Sequence, residues 1–169
     1  MSRGLGDVYK RQGGNNMRFY CTDDTVDLEQ YPYHVRDVHI SDPFILADPK
    51  SRCYYTYVQF ADTERFPDVE TDKENGVFYV LESKDLIHWS KPQICFRQNN
   101  FWADKDYWAP EVHIWKGRYY LFSSFRADGH YRKCQCLVSD SPKGPFEPIR
   151  QEAVTPDGWQ SLDGTLYVD

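Results

Sequence analysis

Methionine is scarce, with only two in the chain, and no apolar run approaches the roughly 20 residues that a membrane helix needs. A leader with a basic start, an apolar centre and a small-residue cleavage site is also missing, which leaves the localisation open. Without a Gly-rich phosphate cradle or a Gly-x-Ser-x-Gly elbow, the nucleotide-binding and serine-hydrolase readings fall away. Positive charge is in deficit: 20 Lys and Arg face 26 Asp and Glu, a formal charge of −6. Nucleic acid and anionic membrane are therefore excluded as main partners, because both would be repelled on average. Cys21, Cys53, Cys95, Cys134 and Cys136 form an odd set with no His or further Cys at zinc spacing, and they read as reduced, mostly buried thiols. His39, His88, His113 and His130 fall in no ligand or triad spacing and read as structural. No metal or cofactor site is read from these residues.

Aromatic side chains are plentiful: thirteen Tyr, ten Phe and five Trp describe a β-rich chain with ample material for a core. Asp42-Pro43-Phe44-Ile45-Leu46 reads as a short strand with an acid at its mouth. The turn Asp48-Pro49-Lys50-Ser51 then leads into Tyr54-Tyr55-Thr56-Tyr57-Val58 as a hairpin. The layout returns at Trp108-Ala109-Pro110-Glu111-Val112, where the turn Lys116-Gly117 leads into Tyr119-Tyr120-Leu121-Phe122. It starts once more at Leu162-Asp163-Gly164-Thr165. Superposing Pro43, Pro110 and Gly164 gives steps of 67 and 54 residues. The outer part repeats too, since Ser83 and Ser139 stand 56 residues apart and Trp89 and Phe146 stand 57 apart. A recurring all-strand unit of this size predicts an all-β fold, a β-propeller. In this register Asp42 and Asp163 coincide, Ala109 takes their place in the second unit, and Glu111 follows two residues on, on the same strand face. First strands line a propeller's axis, so these acids converge at one end.

The expected organisation is residues 1–16 disordered and linker-derived, 17–38 a polar leader, and 39–169 a partial propeller. Its blades divide as 39–92, 93–150 and the start of a third at 151–169. The acid-rich loop from Ala61 to Asn75 reads as solvated. The loop from Asn100 to Trp108, holding Phe101 and Trp102, is unusually aromatic and suits stacking against a sugar ring.

Four strings, Asp42-Pro43-Phe44-Ile45, Glu82 through Trp89, Trp108 through Val112, and Leu162 through Asp169, resemble glycoside hydrolase family 43 in their order and separation. That family comprises arabinofuranosidases, xylosidases and arabinanases on a five-bladed propeller. The resemblance implies that Asp42 is the general base and that Asp163 tunes the pKa of the general acid, a Glu supplied from a later blade outside this sequence. Trp108 becomes a stacking wall, and Glu111, Phe44 and Trp102 become substrate-binding residues. It further implies an inverting hydrolase of arabinose- or xylose-containing glycans, inactive as these 169 residues alone. An axial calcium, held by residues outside this sequence, belongs to the same set of implications. The competing expectations are a carbohydrate-binding propeller without turnover and a five-bladed hydrolase of fructosides or mannosides.

Overall fold

A computed structural model describes residues 26–38, 40–59, 66, 69, 76–98 and 101–169. The segment 1–16, the first part of the leader, His39 and most of the acid-rich loop 60–75 lie outside the described residues. The described chain is all-β. Its strands are β1 (Tyr33–His34), β2 (Phe44–Asp48), β3 (Cys53–Val58), β4 (Val77–Ser83), β5 (His88–Trp89), β6 (Gln93–Arg97), β7 (Lys105–Trp115), β8 (Arg118–Arg126), β9 (Lys133–Ser139) and β10 (Glu147–Pro148).

They form two antiparallel sheets, each a blade. The first runs β1-β5-β4-β3-β2 with β6 also on β4, and the second runs β10-β9-β8-β7. The expected hairpins are present: Phe44 pairs with Tyr57 and Asp48 with Cys53 across β2 and β3, and Ile114 pairs with Tyr119 across β7 and β8. Asp48 makes the first of these turns. Its buried carboxylate accepts bonds from the backbone N–H groups of Lys50 and Ser51, both at 3.1 Å, and from the Ser51 hydroxyl at 2.7 Å, which is the side-chain turn chemistry expected of Asp. Tyr119 of β8 reaches the same carboxylate at 3.1 Å, and burial beside that charge pushes its phenol up to about 12.

The division drawn at residue 92 does not match the sheets. Gln93–Arg97 pairs with β4 through Phe78↔Phe96 and Val77↔Arg97, so the first sheet runs past Pro92. Lys91-Pro92 interrupts the outer strand into β5 and β6, because Pro brings no N–H to a ladder. The second blade still abuts β6: Phe146 N–H donates to Cys95 O at 2.8 Å, and a Cβ on Gly144 would come within 2.3 Å of that same oxygen. The leader's end also joins the first sheet, with Tyr33 and His34 paired to Trp89 and His88. Residues 161–169, expected to open a third strand, form no ladder and are held by side-chain and isolated backbone contacts.

Every residue of β4 is buried, and Val77 to Leu81 read as an unbroken apolar run before Glu82 and Ser83 end the strand. Phe78 and Val80 face a core that takes in Tyr57, Val112, Leu121, Phe125 and Leu137 from both sheets, while Val77, Tyr79 and Leu81 face a second cluster with Trp89. Gly76, at the start of β4, is in contact with the Tyr107 ring, and a Cβ there would fall 2.1 Å from it. Cys53, Cys95, Cys134 and Cys136 are free and buried, as the composition suggested; Cys21 is outside the described residues.

Glu82 closes β4 as a buried carboxylate, bonded by Tyr31 at 2.5 Å from the leader, Lys143 at 2.5 Å from the second blade, and the Cys53 thiol at 3.6 Å. Burial pushes its pKa up, but the bonds from Lys143 and Tyr31 outweigh that and hold it below its usual value. A carboxyl lowered by folding contributes stability that is present above its unfolded value, about 4.3, and is lost as pH falls through the folded one. Urea unfolding followed from about pH 6 to about pH 3 should therefore show stability falling, and Glu82→Gln should flatten the slope. An unchanged slope in that variant would remove Glu82 as the source of the pH dependence.

Candidate active site

The three positions superposed by the repeat share one unusual backbone state. Asp42, Ala109 and Asp163 have φ of 48°, 49° and 51°. Left-handed φ at a non-Gly residue costs on the order of 1–3 kcal/mol and persists where the surroundings impose it, often at functional sites. Asp tolerates it through local bonds, whereas Ala109 has no such help.

Two residues after each of these bends, Phe44, Glu111 and Thr165 come together. The Thr165 hydroxyl donates to Glu111 Oε1 at 2.5 Å and lies 3.3 Å from His113 Nε2. His113 Nε2 also bonds the same Glu111 oxygen, and the Phe44 ring lies 5.5 Å from the His113 ring. Asp42 and Asp163 thus each stand two residues before a member of one contact cluster, both exposed to solvent. The segment that carries Asp163 is pinned at alternate residues. Ser161 N–H donates to Arg132 O at 2.9 Å, Asp163 N–H donates to Ser124 Oγ at 3.0 Å, and Thr165 holds Glu111. Gly164 lies against Cys134, where a Cβ would stand 3.3 Å from the Cys134 Cβ. Burial pushes the Cys134 thiol up, so it stays neutral beneath that segment.

Trp108 sits between two register shifts in β7, and Asp106 before it has φ of 53°. Such bulges re-aim side chains. The ring is 43% exposed and is stacked on one side by Arg132, whose guanidinium carbon lies 3.4 Å from its centroid. Arg132 is only 8% exposed and is fixed by Asp106 at 2.8 Å. Trp102 has other neighbours, packing on Phe101 at 5.6 Å and near His130 at 6.5 Å.

The profile described as Glycosyl hydrolases family 43 matches residues 34–169. The chain belongs to that family. A curated relative, Xylosidase/arabinosidase 43A of Humicola insolens, is 34% identical over 68 residues, which is 40% of this chain and 20% of the relative. An endo-arabinase structure from Bacteroides thetaiotaomicron VPI-5482 superposes with a TM-score of 0.69 at 39% identity, over 82% of this chain and 44% of that one. A thermostable family-43 glycoside hydrolase follows at 0.60 and 27%, over 77% of this chain and 38% of that one. This family-43 chain therefore spans less than half of each of these relatives, and its two sheets are blades of the family's propeller.

Four members of the cluster escape a reading from spacing alone. His113, which looked structural, follows Glu111 by two residues on a strand and so shares its face; the same spacing links Thr165 to Asp163, and both signals are present in the sequence. Arg132 and Ser124 reach the site from another strand and a turn, and no local pattern announces them. Among the described residues, no three His, Cys, Asp or Glu side chains gather as a metal site. The Glu111–His113 pair does not suit calcium, which takes six to eight oxygen ligands.

Proposed function

We propose that this family-43 chain supplies the water-activating half of an inverting glycoside hydrolase acting on arabinofuranosyl or xylosyl linkages in plant polysaccharides or oligosaccharides. The observation that carries this reading is the shared left-handed bend at Asp42, Ala109 and Asp163, two residues before Phe44, Glu111 and Thr165, which gather around His113.

In the proposed mechanism Asp42, open to solvent, takes a proton from a water that attacks the anomeric carbon. A Glu from outside these residues protonates the departing oxygen. Inversion needs the two carboxyl groups about 6.5–9.5 Å apart so that water fits between one of them and the sugar, and acids on separate blades supply that spacing. Asp163 orients the acid and raises its pKa, since neighbouring carboxylates disfavour each other's ionisation. Trp108 offers the sugar a ring face already backed by Arg132, and Glu111, fixed on one oxygen by His113 and Thr165, keeps the other for a sugar hydroxyl. Phe44 closes the cluster beside His113, and Trp102 borders the outer part of the surface.

The 169 residues alone are expected to release no product from arabino- or xylo-oligosaccharides, whose sugar leaving group needs the acid. A longer chain that includes the Glu should release the sugar with inverted anomeric configuration, seen in the first minutes by proton NMR. Release with retention would overturn the mechanism, and turnover by the short chain would overturn the division of labour.

A further inference from the structure

An open hollow lies at the turn between β8 and β9, lined by Arg126, Ala127, Gly129, His130 and Tyr131. We propose that it binds the carboxylate of a uronic acid residue in the glycan that reaches the Asp42–Asp163 site. The inference rests on the glycosidase reading for the class of ligand, and on the hollow's own chemistry for the charge.

The hollow stands at the right place along β8. Ser124, which holds the Asp163 backbone, pairs with Trp108, and Arg126 pairs with Lys105. Two residues along a strand cover about 7 Å, so the hollow lies roughly one sugar ring beyond the stacking wall. Its lining includes two small residues, Ala127 and Gly129, and Tyr131, which is 59% exposed. An exposed ring beside small residues suits the apolar face of a pyranose.

The charge around it is balanced, where the chain as a whole is acidic. Arg126, Arg132, Lys105 and Lys133 surround the turn, with Asp104, Asp106, Asp128 and Asp157 as the acids, whereas the whole chain carries −6. Three of these acids are already engaged. Asp128 is paired with Lys105 and Asp157 with Lys133, and Asp106 is held by Arg132 at 2.8 Å. Arg126 holds its acid more loosely than Arg132 does, sharing Asp106 at 3.5 Å against 2.8 Å, and its side chain is half exposed at the hollow's edge. A guanidinium presents paired donors that match a carboxylate, and the His130 ring, braced by Trp102, adds a further nitrogen. A neutral hexose would use only the Tyr131 face.

The test compares methyl β-glucuronide with methyl β-glucoside, which differ only in carboxylate against hydroxymethyl, by titration calorimetry on the 169-residue chain. The glucuronide should bind roughly tenfold more tightly, with the difference shrinking as salt is raised from about 50 to about 500 mM. Arg126→Gln, checked for folding by near-UV circular dichroism, should bind both sugars alike. Equal affinities in the unmutated chain, no binding of either sugar, or a preference that survives Arg126→Gln would each overturn the proposal. The first two of these outcomes are read on the unmutated chain, so the proposal stays open to refutation even if the substitution disturbs the fold. The hydrolase reading is tested by turnover of a longer chain and this one by sugar binding to the 169 residues, so failure of the one and failure of the other are told apart.

Discussion

Asp42→Asn, introduced into a chain that also supplies the general acid, should lower kcat on 4-nitrophenyl arabinofuranoside or xyloside by about 10²–10⁴-fold, the usual contribution of a positioned general base. KM should change little, because an amide of the same size keeps the contacts of the ground state and loses only the proton acceptor. The aryl leaving group sharpens the test. It departs with little protonation, so the loss reports on water activation and not on the acid. The substitution should be gentle on the fold: Asp42 is exposed at a strand mouth with φ of 48°, and Asn tolerates left-handed backbone as well as Asp does. A variant that keeps full kcat would end the assignment of Asp42 as base, and with it the pairing of Asp42 with Asp163 as parts of one site.

The repeat and its hairpins were legible because the signals are local. Strand alternation, the Asp48-Pro49-Lys50-Ser51 and Lys116-Gly117 turns, and the Asp-Pro, Ala-Pro and Asp-Gly mouths all lie within a few residues of one another. The register drawn through Pro43, Pro110 and Gly164 then put Asp42, Ala109 and Asp163 in one column, and the matching left-handed φ at all three is its structural counterpart. What stayed hidden depends on partners distant in the chain. Gln93–Arg97 follows Pro92 and so looks like the start of a new unit, yet its ladder partner is β4, some fifteen residues back. The cation over Trp108 comes from a turn beyond β8, and the donor to Asp163 comes from the middle of β8. Leu162 through Tyr167 has the alternation of a strand, but alternation describes a face and does not supply a ladder partner.

Phe125→Ala is expected to cost about 3–5 kcal/mol, the range for removing a buried ring from a core that cannot close over the gap. Phe125 is fully buried on β8, and its ring meets Tyr107 at 4.9 Å, Phe101 at 5.0 Å, Phe78 at 5.8 Å and Phe96 at 6.3 Å, all edge to face. Those four come from β7, the aromatic loop, β4 and β6, so the lost ring lies where both sheets meet. The surrounding rings are large and pinned, with Tyr107 bonded to Ala103 O at 2.8 Å and held against Gly76, and they cannot move in to fill the space. For a chain of this length each kcal/mol lowers Tm by about 2–4 °C, so a fall of roughly 6–20 °C is expected in calorimetry. Trp159→Ala, a large but exposed ring, is the control and should shift stability by no more than about 0.5 kcal/mol. Because the Phe125 cluster draws on both sheets, the variant should show one transition moved down as a whole. Two separate transitions, with the first sheet unaffected, would mean that the blades fold independently and that the shared aromatic core does not couple them.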